Sequence, residues 1–197
     1  MSAIILISII GPPAVGKTTL AESLAAELQA RIIYEDYAGN PFLADFFLGR
    51  SEFALPAQLY FLFSRLGQLN PKAMTDGETL ISDYGFCQDA VYAASNLSDS
   101  DLDVYHRLAD AVGEIVKPPD VLIHLDGDED TLLERISRRG RRYEQVFSVD
   151  FLARMRDAYR EIVPAADCPV INIDVGKVDL RKESSRAELI CDIREHL

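Results

Sequence analysis

An apolar run followed by a glycine-rich octapeptide constrains the fold of this chain more than any other feature. Residues 4–10 are apolar and mostly β-branched, which predicts a buried strand. The next eight residues, Gly11-Pro12-Pro13-Ala14-Val15-Gly16-Lys17-Thr18, match the pattern GxxxxGK[ST] at every fixed position. Leucines at 20, 24 and 28 then predict an amphipathic helix. This order of strand, loop and helix is typical of a phosphate-binding loop, or P-loop.

The loop has the chemistry that a triphosphate requires. Glycines let backbone N–H groups turn towards phosphate oxygens, and the following helix adds positive charge at its N-terminus. We expect Lys17 to reach the β- and γ-phosphates and the Thr18 hydroxyl to ligate Mg²⁺, so ATP and Mg²⁺ are the expected cofactors. The residues predicted to bind the nucleotide are Gly11, Ala14, Val15, Gly16, Lys17, Thr18 and Thr19.

Strand and helix patterns alternate from one end of the chain to the other. The predicted strands are 4–10, 31–34, 79–82, 121–125 and 170–173. The first predicted helix begins after Lys17. The others cover 54–69, about 102–115, 128–139, 148–162 and about 185–196. This alternation predicts an α/β fold of the P-loop kinase type, a five-stranded parallel sheet with helices on both faces. We expect a single domain over residues 1–197.

Charge and hydropathy exclude several classes of protein. The chain has 20 Lys and Arg against 32 Asp and Glu, a formal charge of −12, which argues against nucleic-acid or anionic-membrane partners. The apolar run 4–10 is far shorter than the roughly 20 residues of a membrane span and lacks the basic flank of a signal peptide. The three cysteines, Cys87, Cys168 and Cys191, have no metal-site spacing, which favours reduced thiols in a cytoplasmic protein.

Five arginines lie within eight residues of this acidic chain. They are Arg135, Arg138, Arg139, Arg141 and Arg142, a quarter of its 20 basic residues. The first three share one helix face, and Gly140 ends the helix in a loop that could close. Because a guanidinium pairs with two phosphate oxygens at once, we expect a phosphate-binding lid at about 136–148. The alternative is a solvated basic helix end, which the helix dipole favours.

The P-loop does not by itself define the reaction. The sequence has no NKxD guanine signature and no strand ending in the acidic pair of a Walker B motif, so a kinase of a small metabolite is favoured over an ATPase or GTPase. Three further segments match a known family. Glu35 stands shortly before Asn40-Pro41-Phe42-Leu43, and the other two segments are FALPAQLYFLFSR and PDVLIHLDGDEDTLLERISRRGR. With the P-loop, they resemble the deoxynucleoside kinase family over roughly residues 4–162.

The resemblance implies a role for each matching residue. Glu35 is the general base for the sugar 5′-hydroxyl, and Asp83 helps to hold Mg²⁺, normally through water. Gln58 reads the base through its amide, and Arg65 and Asp89 recognise the base as a charged pair oriented by each other. Glu144 contacts the sugar 3′-hydroxyl. The lid arginines at the reacting phosphate are Arg135, Arg139 and Arg141, and the candidates to stack on the base are Phe42, Phe61 and Phe86.

Two residues depart from the family pattern. Tyr84 stands where the family has an arginine beside the reacting phosphate. Phe47, which we also expect in the substrate site, stands where bacterial members have a tyrosine for the 3′-hydroxyl. A different sugar, a modified nucleoside or another hydroxyl acceptor therefore stays open.

The expected function is transfer of the ATP γ-phosphoryl group to the 5′-hydroxyl of a nucleoside, foremost a purine deoxynucleoside. One alternative is a thymidylate-kinase-like nucleoside monophosphate kinase, which needs an added acceptor-side arginine; Arg50 and Arg65 are the candidates. Another is a nucleotide-binding protein without turnover, which Tyr84 and Phe47 would suit. The resemblance implies a homodimer, and the apolar stripe of the helix from Leu102 to Ile115 indicates either a dimer face or a core helix.

Overall fold

Five strands and eight helices make up the protein in a computed structural model, which describes residues 3–197 apart from the side chains of Arg142 and Tyr143. The strands are β1 Ile5–Ile10, β2 Arg31–Ile33, β3 Thr79–Ser82, β4 Val121–Asp126 and β5 Val170–Asp174. The helices are α1 Lys17–Leu28, α2 Leu43–Phe47, α3 Ala54–Gln68, α4 Gln88–Asn96, α5 Asp99–Gly113, α6 Glu129–Arg139, α7 Val149–Ile162 and α8 Glu183–His196. Short 3₁₀ turns join several of them, among them Arg142–Val146.

The strands form one parallel sheet in the order β2-β3-β1-β4-β5. Strand β1 is central, and its Ile7 pairs with Ile81 on one side and Val121 on the other. The carboxyl ends of parallel strands all reach the same edge of the sheet, which is where open α/β sheets bind ligands. The P-loop, Glu35 and Asp83 follow three adjacent strands at that edge.

Alternate side chains of β1 pack against helices on opposite faces of the sheet. Ile7 and Ile9 pack in a cluster with α1, α6 and α8, whereas Leu6 packs with α3 and α5, and Ile10 with α4 and α7. All four side chains are fully buried. Burial on both faces explains why the strand is apolar throughout, and it confirms the predicted α/β fold.

The predicted elements are present with ends that shift by one to three residues, but α2 and α4 were not predicted. Helix α2 has only five residues, and α4 buries Gln88 and Asp89 with Val91 and Ala93, so neither presents a stripe of large apolar side chains. Helix α5 buries Tyr105 and Val112 in the core, so its apolar stripe is at least partly a core face.

Three smaller features of the fold bear on the sequence predictions: the end of α6, the cysteines and the lengths of the helices. Gly140 ends α6 in the left-handed conformation, with φ of 68°. All three cysteines are free thiols. No helix in the described part of the chain is both long and apolar enough to cross a bilayer.

Candidate active site

The P-loop connects β1 to α1 through two glycines in conformations that other residues avoid. Gly11 has φ of 144° and Gly16 has φ of 115°. A Cβ on Gly11 would also lie 2.3 Å from the Leu125 carbonyl oxygen, so no larger residue fits there. The loop therefore delivers its N–H groups and the start of α1 to the carboxyl edge of the sheet, where they can bind an anion.

Lys17 lies over the loop that it follows. Its Nζ donates to the carbonyl oxygens of Gly11 at 2.7 Å and Pro12 at 3.1 Å. Burial lowers the pKa of Lys17 to about 8, and the Glu35 and Asp83 carboxylates oppose that shift. The ammonium group is thus partly desolvated and close to two acids, which suits it to meet a phosphate.

Asp83 connects the P-loop to the end of β2. Its Oδ2 accepts a hydrogen bond from the Thr18 hydroxyl at 2.5 Å, and its Oδ1 accepts one from the Glu35 backbone N–H at 2.8 Å. Because Thr18 donates its proton to Asp83, the lone pairs of its oxygen stay available to a cation. In the part of the chain that the structure describes, no three His, Cys, Asp or Glu side chains cluster as a metal site by themselves.

Glu35, Arg65 and Asp89 form a buried ion-pair cluster. The Arg65 guanidinium, from α3, contacts Oε1 of Glu35 and Oδ1 of Asp89. Asp89 also accepts hydrogen bonds from Gln58 Nε2 at 2.6 Å and from the Tyr105 hydroxyl at 2.9 Å. Burial lowers the pKa of Arg65, but the two carboxylates outweigh it and hold that pKa above its usual value. The cluster therefore joins helices α3 and α4 to the segment after β2.

Helix α6 and the lid place one arginine on the P-loop and two beside an acid. Arg135 donates to the Val15 carbonyl oxygen at 3.1 Å, so it fastens α6 to the P-loop. Arg139 and Arg141 lie 3.5 Å and 3.2 Å from Oε1 of Glu144, which is 4% exposed. Since all three line the same cavity as Lys17, they can meet a phosphate there.

One cavity of about 910 Å³ joins these groups. It extends from the P-loop and the lid to the acceptor side at α3, and also to the loop 175–181 after β5. Predicted site residues that line it are Ala14, Val15, Gly16, Lys17, Thr18, Thr19, Glu35, Phe47, Gln58, Phe61, Arg65, Asp83, Asp89, Arg135, Arg138, Arg139, Arg141 and Glu144.

Three residues that we expected at the site do not line this cavity. Gly11 starts the P-loop, and its carbonyl oxygen accepts a hydrogen bond from Lys17. Phe86 packs in the apolar cluster of α3 and α5, and a Cβ added to Gly113 would lie 3.3 Å from its ring, so stacking of Phe86 on a base is wrong for this structure. Phe42 instead stacks on Phe53 at 6.2 Å. The side chain of Arg142 lies outside the described residues.

Our sequence reasoning missed two tyrosines and a loop. Tyr37 and Tyr92 line the cavity, and the guanidinium of Arg141 lies 5.6 Å from the Tyr37 ring centre. Burial and the Glu35 carboxylate raise the pKa of both tyrosines. The loop 175–181 had one signal, an acid and a glycine at the end of an apolar strand pattern. Nothing in the sequence distinguishes the two tyrosines from core residues.

A model of the family described as deoxynucleoside kinase matches residues 7–197 of the sequence. The chain belongs to the deoxynucleoside kinase family. Among curated relatives, it is 30% identical to a deoxyguanosine kinase of Lactobacillus johnsonii, over 93% of this chain and 88% of that one. It is also 28% identical to a deoxyadenosine/deoxycytidine kinase of Bacillus subtilis, over 95% of this chain and 90% of that one. The protein is therefore a phosphotransferase.

Solved structures agree on the fold of this deoxynucleoside kinase family member. A deoxyadenosine kinase from M. mycoides with bound dATP superposes with a TM-score of 0.82 at 22% identity, covering 96% of this chain and 100% of that one. The same kinase with dCMP and a flexible dCDP gives a TM-score of 0.81, covering 97% of this chain and 99% of that one. The likeness confirms the P-loop kinase fold.

The pKa of Lys17 makes proton uptake a test of its contact with phosphate. At pH 8 about half of the unbound molecules hold a neutral Lys17, and a triphosphate favours the charged form. We expect ATP binding, without acceptor, to take up about half a proton per molecule at pH 8 and close to none at pH 6.5. Titration calorimetry in buffers of different ionisation enthalpy measures this uptake. The Lys17→Met protein is the reference, and equal uptake by both proteins would contradict the contact.

Proposed function

We propose that this deoxynucleoside kinase family member transfers the γ-phosphoryl group of ATP to the 5′-hydroxyl of a purine deoxynucleoside. The observation that carries the proposal is the placement of Glu35. Its side chain lines the same cavity as Lys17 and Gln58, and its Oε2 atom is buried without a hydrogen bond from the side chains that the structure describes. A buried carboxylate oxygen without a donor can accept a hydroxyl proton from a substrate.

The phosphate half of the site suits the donor. The P-loop N–H groups and Lys17 would bind the β- and γ-phosphates. Arg139 and Arg141 line the same cavity and would stabilise the charge that develops on the transferring group. In the reaction the 5′-oxygen forms a bond to the γ-phosphorus, and the bond to the β,γ-bridging oxygen breaks. ADP leaves with the electron pair, and the hydroxyl proton passes to Glu35. Atoms and charges therefore balance without a further reagent.

Thr18 and Asp83 fit a magnesium ion. Both carry oxygen ligands, and the Thr18 hydroxyl can donate to Asp83 while its lone pair faces a cation. When bound, Mg²⁺ neutralises phosphate charge during the transfer. Thr18 and Asp83 together offer few ligands, so the ion would need phosphate and water oxygens to complete its shell, which is the usual arrangement for Mg²⁺.

Gln58 favours a base that offers a hydrogen-bond donor. Its Nε2 donates to the Asp89 backbone carbonyl at 3.1 Å and to the Asp89 side chain at 2.6 Å, which uses both amide protons. Oε1 is therefore the atom that Gln58 presents to a ligand in the cavity. The 6-amino group of adenine can donate to it. On the sugar side, Glu144 is the candidate acceptor for the 3′-hydroxyl.

The acceptor-side arginines weigh against a nucleoside monophosphate as acceptor. Arg50 pairs with Asp45 at 3.0 Å, and Arg65 pairs with the two buried carboxylates of Glu35 and Asp89. A second phosphate would have to compete with these carboxylates for either guanidinium, whereas a nucleoside needs no such cation.

Several broader expectations belong to the same proposal. The net charge of −12 supports small-molecule rather than nucleic-acid partners, and three free thiols suit a cytoplasmic protein. Homodimerisation is proposed on the family resemblance. A single domain over residues 1–197 with a lid at about 136–148 also stays a proposal.

Replacement of Glu35 tests the proposed function. Glu35→Gln removes the proton acceptor, so we expect kcat to fall by about 10²- to 10⁴-fold. Lys17→Ala leaves phosphate charge uncompensated, and we expect a loss of at least about 10²-fold. Nucleoside-dependent ADP release measures both losses. Glu52→Gln, which changes an exposed acid in the turn before α3, serves as control. Near-full activity of Glu35→Gln, with normal thermal unfolding, would contradict the assignment.

The 6-amino group gives a separate test of base recognition. We expect deoxyadenosine to bind roughly 10- to 100-fold more tightly than 2′-deoxynebularine, its analogue without that group, because the analogue leaves Gln58 Oε1 unpaired. Calorimetry with each nucleoside measures the ratio without turnover. Gln58→Leu should abolish the difference. Equal binding of both nucleosides by the unaltered protein would show that Gln58 does not read the amine.

A further inference from the structure

The side chain that follows the β3 acid faces the core instead of the phosphate. Tyr84 is fully buried, it does not line the cavity, and its hydroxyl donates to Gln68 Oε1 at 2.6 Å. The residue after Asp83 therefore contributes an aromatic ring, and no cation, to the surroundings of Glu35 and Arg65. Any cation that holds the Glu35 carboxylate has to come from another element.

Arg65 supplies that cation from α3. Its guanidinium contacts Glu35 and Asp89, and the residue is 2% exposed. The ring centres of Phe61 and Tyr84 lie 5.7 Å and 5.2 Å from its central carbon. Two rings and two carboxylates therefore fix the guanidinium, and Tyr84 supports it from the side of β3.

The contact with Arg65 makes the two oxygens of the Glu35 carboxylate different from each other. Oε1 is held by Arg65, whereas Oε2 has no hydrogen bond from any side chain that the structure describes. A carboxylate held at one oxygen cannot rotate freely, so the other oxygen keeps a defined position. In addition, the Glu35 backbone N–H is held by Asp83 at 2.8 Å, which fixes the residue at both ends.

We propose that Arg65 is a positioning residue for phosphoryl transfer, which orients the Glu35 carboxylate with the support of the Tyr84 ring. The inference rests on the proposed function, in which Oε2 of Glu35 accepts the proton of the 5′-hydroxyl. Arg65 itself exchanges no proton and forms no bond. It holds Oε2 at the place where the hydroxyl proton arrives, while the 5′-oxygen bonds to the γ-phosphorus and ADP leaves.

The competing role for Arg65 is binding of the base alone, and kinetics separate the two. A residue that only binds the acceptor affects KM, whereas one that orients the base catalyst lowers kcat at saturating nucleoside. Arg65→Lys keeps one positive charge but cannot bridge both carboxylates, so we expect kcat to fall at least about tenfold. Arg65→Ala should lose about 10²-fold in kcat. Phe63→Leu, on the exposed side of α3, is the matched control.

Chemical rescue gives a readout that a purely structural role would not move. Ethylguanidinium has the atoms that Arg65→Ala lacks, and we expect it to restore kcat by at least about tenfold, but not the activity of Glu35→Gln. A kcat within about twofold of the unaltered protein for Arg65→Lys, with only KM raised, would overturn the inference and leave the proposed function intact. If Arg65→Ala does not fold, the Arg65→Lys result decides alone. An unaltered protein that phosphorylates no nucleoside would overturn both.

Discussion

Three strands that lie side by side, β2, β3 and β1, bring an acid, a second acid and the P-loop to one edge of the sheet. Asp83 joins the three ends, because it accepts hydrogen bonds from Thr18 in α1 and from the Glu35 backbone. The parallel pairing therefore does more than bury β1. It sets the distance between the phosphate-binding half of the cavity and the carboxylate of the acceptor half, and the rest of the site is built on that distance.

Buried charge decides how the cavity can be filled. Glu35 and Asp89 share the single guanidinium of Arg65, whereas Lys17 and the lid arginines line the same cavity beside the P-loop. Glu144 pairs with two of those arginines. The formal charge of −12 hides this separation. A triphosphate meets cations, and a hydroxyl can meet Oε2 of Glu35, a buried carboxylate oxygen without a hydrogen-bond donor among the described side chains.

Strong local rules made part of this architecture predictable. Residues 4–18 predicted β1 and the P-loop because apolar β-branched residues and two obligatory glycines leave few alternatives, and Gly140 ends α6 as expected. Helix α4 escaped prediction because its buried face is polar, with Gln88 and Asp89, and this pattern has no apolar period. The orientation of Phe86 depends on packing against α5, which no local pattern records. The family resemblance implied the pairing of Arg65 with Asp89, whereas the contact of Arg65 with Glu35 became visible only in three dimensions.

The central claim is that the 5′-oxygen of a nucleoside, with its proton taken by Glu35, attacks the γ-phosphorus. Phosphorus NMR of the reaction with 5′-¹⁸O-labelled deoxyadenosine and Mg-ATP tests it most directly, because ¹⁸O bonded to phosphorus shifts the resonance of the product. The account predicts ADP and a nucleoside monophosphate in equal amounts, with the label retained between sugar and phosphorus. Inorganic phosphate in place of the monophosphate, or a monophosphate without the label, would contradict it.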